Sequence, residues 1–556
     1  MPRAVNSIIL SIALVVIASC VFFNAIDHPF VHDDVVFIVQ NPQIGRLDNF
    51  TSIFIPSVHP GPHGVVNSYY RPILEIFYRL EYRLFSFNAA GFHLINILIH
   101  IVNGLLLFAL LCRLQFARWT GFGISLLFLV HPIQSEAVAC VSGISNLLVV
   151  FFILTSVYCY IRKGYVLALI GFCLALLTKE QAIILVPLLM LVDWYRKEHQ
   201  EKERWILWLI LAAITIVFLC LRSYITGTHV LEDILQSPGE LKLRLLSIPK
   251  TLVMYLRLLV CPYDVHYYRN TDILASHGPG FIILGVLSAA TVWLIRKLQT
   301  KREIIFGLAW FIITLVPVLN IVPLIDEYSF ILTADHFLYL PMVGILITLG
   351  AVVGSYMSSL PAGNTRKIFI LGLFGLGMAL SSMTIYQNTF WRGEISLFEK
   401  TIAFEPNFAR AHMLLAKAYL NSSNTLLNQE KLKSKQLDQA CFHYNQALSI
   451  MKRYEQKAVN DPSKKVYKGF IKEIDVELAQ CLMLKGQFNL AEDCYINALA
   501  LEPQDVGVLN NLAVCYIQQG DASKAEEILK IALGFDPANA AARENLNALI
   551  KNNNPE

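Results

Sequence analysis

The sequence is short of charge, of pairable cysteines and of metal-binding spacings, and each shortage excludes something. Only 15% of the 556 residues are Asp, Glu, Lys or Arg, against roughly 25% in an ordinary soluble protein, and mean hydropathy is +0.53. These values exclude a single soluble globule, a disordered chain and a collagen-like fibre. A net charge of +4 gives no footing for a nucleic-acid partner. The eleven cysteines are scattered, mostly through apolar runs (Cys112, Cys140, Cys159, Cys173, Cys220), where a thiol behaves as a small hydrophobe. They make no disulfide framework and no zinc pattern, so they do not report a redox compartment.

The little charge there is lies unevenly. From Trp391 to Glu556, 39 of 166 residues are charged, against 47 of the first 390. Residues 391–556 thus have a soluble composition and residues 1–390 a membrane composition. A bilayer crossing needs about 20 apolar residues, and eleven segments approach that length: Ile8–Ile26, Gly91–Cys112, Trp119–Val130, Ala137–Ile161, Gly164–Leu177, Gln181–Tyr195, Trp205–Leu221, Phe281–Ile295, Ile304–Pro323, Leu338–Tyr356 and Ile368–Tyr386. Pro72–Phe87, carrying Glu75, Arg79, Glu81 and Arg83, suits a helix lying on the interface. Leu243–Val260, broken by Pro249, Lys250 and Arg257, reads as a helix that does not cross. Short connections with Arg113 and Arg118, Arg162 and Lys163, Arg196 to Arg204, Arg296 to Arg302, and Arg366 and Lys367 fall on one side. The positive-inside rule makes that side, and the N-terminus, cytoplasmic. Eleven spans then leave residues 391–556 extracytoplasmic. Ile17-Ala18-Ser19-Cys20 resembles a lipoprotein processing box, but the apolar run continues through Phe22 and Phe23, so the segment reads as a retained span.

The soluble part repeats. At a spacing of 34, Ala479/Ala513, Cys481/Cys515, Gly486/Gly520, Ala491/Ala525, Ala498/Ala532 and Pro503/Pro537 coincide, the signature of tetratricopeptide (TPR) repeats. An earlier copy starts near Asn407, with polar insertions at Ser422–Gln436 and Lys452–Lys468, and Ala538–Lys551 caps the array. About three repeats make a stable α-solenoid with a concave, peptide-binding surface.

Ionisable residues at the ends of spans are costly and mark candidate sites. All the notable ones fall on the outer side: His32-Asp33-Asp34, Tyr69-Tyr70-Arg71, His131 to Glu136, Lys179-Glu180, Asp264 to Arg269, and Asp335-His336 with Tyr339. Some have plain structural readings. Lys179-Glu180 is either an interfacial ion pair or part of a site, Tyr69, Tyr70 and Tyr339 are either interface anchors or part of it, and His131 before Pro132 suits a turn cap. Adjacent acids at Asp33-Asp34 have no evident structural need. Asn49-Phe50-Thr51 and Asn421-Ser422-Ser423 read as glycosylation sequons.

Six segments in order, His32-Asp33-Asp34 to Asn41-Pro42, Tyr70-Arg71-Pro72, Gly91 to Asn96, His131-Pro132 with Glu136-Ala137-Val138, Thr178 to Gln181, and Leu338 to Pro341 with Gly344, followed by Trp391-Arg392-Gly393-Glu394 leading into TPRs, resemble the transmembrane and TPR-containing O-mannosyltransferases and their bacterial relatives. These are protein O-mannosyltransferase-like C-type (GT-C) glycosyltransferases. The resemblance implies an all-α, polytopic helix bundle followed by a TPR solenoid. It also implies transfer of a mannose-like sugar from a polyprenyl-phosphate donor to an acceptor hydroxyl, with an acid of the first outer loop acting on the acceptor. Two departures stand out: Gly143-Ile144-Ser145-Asn146 where the family often has Gly-Arg-Ala-Asp, and His336 where it often has Arg.

A glycosyl phosphate leaves readily, so such a transfer needs a base for the acceptor hydroxyl and cations for the departing phosphate. Asp33 is expected as base, with Asp34 orienting it or sharing the role; direct displacement would invert the anomeric centre. Arg71, His131, Lys179, Arg269 and His336 are the expected phosphate partners, supported by Glu136, Glu180, Asp335 and Tyr339. No metal ligation is expected, although Asp33-Asp34 with Glu136 offers a fallback Mg²⁺ or Mn²⁺ set. The expected partners are the bilayer, the lipid-linked sugar and an acceptor polypeptide in the TPR groove, and compact loops favour a bacterial inner membrane over the endoplasmic reticulum. The rivals are a non-catalytic membrane-anchored scaffold, a lipid-linked sugar transporter, and the same chemistry on a lipid or polysaccharide acceptor.

Overall fold

The computed structural model describes the chain apart from residues 1, 47–52, 55–56, 61–65, 198–201, 228–237, 270–277, 299–300, 320–332, 362, 426–429, 458–463 and 554–556. The sequon Asn49–Thr51 lies outside the described residues. Two compact units divide the chain, residues 1–59 with 66–397, and residues 60–65 with 398–556.

The first unit is helical apart from a two-stranded ribbon, β1 (Ser57–Pro60) and β2 (Val66–Tyr69). Its helices are α1 (Pro2–Phe22), the amphipathic α2 (Pro72–Phe85), α3 (Ala89–Arg113), α4 (Arg118–Val130), the short α5 (Ser135–Ala139), α6 (Ile144–Ile161), α7 (Tyr165–Thr178), α8 (Leu185–Arg196), α9 (Lys202–Thr226), α10 (Pro238–Val260), α11 (Gly278–Lys297), α12 (Lys301–Leu315), α13 (Pro341–Ser359) and α14 (Asn364–Asn388). Among the described residues seven helices are long and apolar enough to cross a membrane, or eight if the bent pair α4–α5 counts as one. The sequence predicts eleven; α7, α8 and α12 are helical, but at 14, 12 and 15 residues they fall short of a full crossing. On α14, Leu371 and Phe374 each leave 66% of their surface uncovered, and Ile282 on α11 leaves 71%. Water does not tolerate contiguous surface of that kind, and lipid does.

The segment Ala137–Ile161, predicted as one span, is broken. Helix α4 ends at Val130 and bends by 51° into Pro132–Ala139, and the chain then leaves helical geometry at Cys140 before α6 begins. The freed carbonyls are satisfied from α3, which carries buried His93, Asn96, His100 and Asn103 on one face. The Asn96 amide donates to the carbonyls of Cys140 (2.9 Å) and Val141 (3.2 Å) at the break, and the Asn103 amide donates to the Leu147 carbonyl in the first turn of α6 (2.9 Å). A broken helix inside a membrane domain persists only when its polar backbone is paired in this way. Elsewhere two glycines set the helix spacing: a Cβ on Gly307 of α12 would lie 2.5 Å from the Gly344 carbonyl of α13, so no side chain fits there.

The second unit contains most of α15 (Glu394–Phe404), then α16 (Ala409–Thr425), α17 (Glu430–Lys457), α18 (Lys464–Leu484), α19 (Phe488–Leu501), α20 (Val506–Gln519), α21 (Ala522–Phe535) and α22 (Ala540–Asn553). Gly486 and Gly520 take φ of +71° and +83° between paired helices, which a Cβ would penalise. Asp505 and Asp521 cap α20 and α21 by accepting from the Val508 and Lys524 amides, each at 3.1 Å. Leu509, Ala513, Leu529, Ala532 and Ala542 pack into a buried cluster, which is why small residues recur at those repeat positions. The polar insertions lengthen helices: α17 runs for 28 residues.

Candidate active site

One cavity in the first unit gathers residues from the predicted outer segments. Asp33, Arg71, Glu136, Asn146, Lys179 and His336 line it, together with Phe37, Cys140, Ser142, Gly143, Ser145 and the Tyr267–Tyr268 pair. These residues stand at one end of the helices, after α1 and α7 and before α2, α6 and α13. A second, narrower cavity shares Asn146 and His336 and continues along apolar residues Val149, Ile153, Ile184 and Leu340. A polar chamber therefore adjoins an apolar slot.

The two adjacent acids part company. Asp33 is half-buried, its carboxylate 3.3 Å from His32 Nε2 and receiving a 3.5 Å contact from the Tyr267 hydroxyl. Asp34 is fully buried and does not line the cavity. It accepts from the amides of Ser142 (2.6 Å), Val31 (3.1 Å) and Val141 (3.3 Å) and from Cys140 Sγ (3.4 Å). Burial raises its pKa against the pull of those donors. Asp34 thus ties the first loop to the break between α5 and α6, and the expectation that it shares the base role is corrected. Since its oxygens are occupied by backbone donors, the two acids also do not present a joint pair to a cation.

The loop that carries Asp33 is strained. His32 has φ +50° and Tyr268, across the cavity, +46°; left-handed backbone at a non-glycine residue costs about 1–2 kcal/mol. The His32 amide donates to the Glu394 carboxylate at 3.1 Å, and the Tyr267 ring meets Trp391 edge-on at 5.9 Å. The Trp391–Glu394 motif is thereby a brace for this loop.

Lys179 and Glu180 do not pair with each other. Glu180 accepts from Arg71 at 2.9 Å, and although burial pushes its pKa up, Arg71, Arg222 and Lys179 hold it down to about 2. The Lys179 ammonium donates to Asn146 Oδ1 at 2.6 Å, a neutral partner. Burial, and then the Arg71 charge, lower its pKa to about 7. Glu136 receives both the His336 amide and His336 Nδ1, each at 2.8 Å; among the described residues nothing engages Nε2.

Besides Asp34 and Glu180, four predicted site residues lie outside the cavity: His131, Arg269, Asp335 and Tyr339. His131 caps its own turn, accepting from the Ile133 amide at 3.2 Å, with Nε2 3.1 Å from the Leu259 carbonyl. Arg269 is 1% exposed and committed to Asp335 (3.1 Å), Asp264 (3.3 Å) and His266 (2.9 Å). Asp335 is equally buried and also accepts from the His266 amide. His131 and Arg269 are therefore corrected as phosphate partners: each is saturated where it stands. Tyr339 is buried, 2.7 Å from His100 Nδ1 and accepting from Asn103, and lines the apolar slot instead of anchoring at an interface. Sequence reading missed His100 and Asn103, although the 93, 96, 100, 103 spacing of polar residues on an apolar helix was a visible signal. It gave no indication of Ser142 or Phe37, because neither stands out until the break is seen.

Residues 482–550 match the tetratricopeptide repeat family model. The relatives are protein O-mannosyl-transferases: F38B6.6 of Caenorhabditis elegans is 24% identical over 75% of this chain and 60% of its own length. Human TMTC1 is 24% identical over 80% of this chain and 55% of its own. The chain thus spans somewhat more than half the length of these relatives. Among solved structures, ArnT from Cupriavidus metallidurans bound to undecaprenyl phosphate aligns over 86% of this chain and 88% of its own at 14% identity, with a TM-score of 0.30, too low to carry its ligand or reaction across.

Proposed function

We propose that this protein is a membrane glycosyltransferase that moves a mannose-like sugar from a polyprenyl-phosphate donor to a hydroxyl of an acceptor polypeptide. The observation that carries the reading is the cavity itself: a carboxylate on one wall, two cations on another, and an apolar slot alongside. The relatives named protein O-mannosyl-transferases support the same reaction class.

Each wall has a task. The Asp33 carboxylate takes the acceptor hydroxyl proton as the oxygen attacks the anomeric carbon; a positioned base of this kind contributes about 10²–10⁴-fold. The C–O bond to phosphate breaks on the opposite face, which inverts the centre. Lys179, with Arg71 beside it, receives the departing phosphate in charge-assisted hydrogen bonds, and His336, held by Glu136, presents Nε2. Asp34 positions the base through the Ser142 segment. The cavity encloses about 80 Å³, room for two or three waters, so a hexose must widen it on entry. The prenyl chain follows the apolar slot.

The basic connections lie at the other ends of the helices, where Arg196 reaches the Ile161 carbonyl, and the positive-inside rule makes the cavity end extracytoplasmic. The TPR unit then lies on the acceptor side and selects polypeptide. The test is glycoproteomics of a deletion strain rescued with wild type or Asp33→Asn. Wild type should restore the missing O-glycopeptides and Asp33→Asn should not; equal rescue by both would favour the scaffold reading.

A further inference from the structure

A second chemical feature lies in the TPR unit. Cys441 of α17 and Cys481 of α18 stand with their sulfurs 2.8 Å apart. A covalent S–S bond is about 2.05 Å, so less than 1 Å of movement separates contact from bonding. Their placement follows from the helices. Cys441 stands 16 residues before the end of α17 and Cys481 17 residues after the start of α18. With an equal rise per residue, successive packed helices bring the two level. Both thiols are enclosed, Cys481 fully and Cys441 at 7% exposure.

The repeat supplies an internal comparison. Cys515 occupies the position of Cys481 one period later, and opposite it, where Cys441 stands in the earlier repeat, is Glu492. Cys515 directs its thiol at the Phe488 carbonyl, 3.3 Å away. Only one of the two equivalent helix pairs therefore matches cysteine with cysteine.

We propose that Cys441 and Cys481 are a redox-modification site that closes into a disulfide linking α17 to α18. The co-reactant is a low-molecular-weight disulfide. The Cys441 thiolate, on the less covered side, attacks one sulfur of that disulfide and expels a thiolate, giving a mixed disulfide. The Cys481 thiolate then attacks the Cys441 sulfur and expels the second thiolate. Two protons pass from the protein thiols to the two departing thiolates, two electrons reduce the external disulfide, and one protein S–S bond forms. The Cys481 S–H facing Cys441 lowers the Cys441 pKa and raises that of Cys481, which fits the order of attack. Nothing in this depends on sugar transfer.

The test is thiol counting on the full-length protein in detergent. It is incubated with oxidised glutathione, desalted, denatured and alkylated, with and without prior reduction, and then peptide-mapped. Without reductant nine of the eleven cysteines should be alkylated, and the Cys441 and Cys481 peptides should appear linked; reduction should restore eleven. Cys515→Ser should still lose two thiols on oxidation, and Cys441→Ser should lose none. Eleven alkylated cysteines after oxidation, or a link between any other pair, would overturn the proposal.

Discussion

Two groups of charge stand near one end of the membrane unit, built from the same residue types and meeting opposite fates. Around Arg269, the acids Asp264 and Asp335 and the His266 ring neutralise and hydrogen-bond one another in a space closed to solvent. Around the cavity, Asp33, Lys179 and His336 line a void, while Glu180 holds Arg71, Asn146 holds Lys179 and Glu136 holds His336. Charges that satisfy each other make structure. Charges held by a neighbour and still facing a void are available for chemistry.

Substitutions at Asp33, Arg269 and Asp34 separate the two groups. Asp33→Asn should cost about 10²–10⁴-fold in kcat while leaving the thermal unfolding midpoint in place, because the lost group faces the cavity. Arg269→Met should do the reverse. It strands two buried carboxylates and costs about 3–5 kcal/mol of stability, read in thermal or denaturant unfolding. Asp34→Asn falls between them: replacing an oxygen that accepts backbone amides by an NH₂ costs about 1–3 kcal/mol, and the misplaced loop should lower kcat with little change in KM for donor. If Asp33→Asn destabilises more than Asp34→Asn, the assignment of base and brace is reversed.

The smallest effect sharpens the cavity side. Lys179, with a pKa of about 7, is protonated below that value and neutral above it. Raising the pH from 6 to 8 should therefore weaken donor binding, by roughly tenfold if the ammonium is needed. Lys179→Arg stays charged throughout and should flatten the profile. A wild-type profile equally flat would remove Lys179 from the phosphate grip.

How much of this could be read beforehand follows from the range of the interactions. The TPR unit was legible because each repeat buries the same small residues and turns at the same glycines, Gly486 and Gly520, so the pattern is local. Most helices of the membrane unit were legible for the same reason, being apolar throughout. The break before α6 was not, because Ser142, Ser145 and Asn146 are uncharged and too few to interrupt the apolar run Ala137–Ile161; what stabilises the break is Asp34, 108 positions from Ser142, and Asn96 on α3. Likewise His131 and Arg269 were recognisable as polar residues near helix ends. Their saturation depends on Leu259, 128 positions away, and Asp335, 66 positions away. Residue type announced which side chains are costly, and only the pairing shows which of them are spent.

Whether the Asp33–Lys179 cavity holds the sugar donor is decided by a cryo-electron-microscopy structure of the full-length protein with a non-hydrolysable polyprenyl-phosphate sugar. Phosphate density should lie within hydrogen-bond distance of Lys179 and Arg71, with an anomeric carbon facing Asp33 and the prenyl chain in the slot beside Tyr339. Donor density elsewhere on the protein, with this cavity vacant, would contradict that placement.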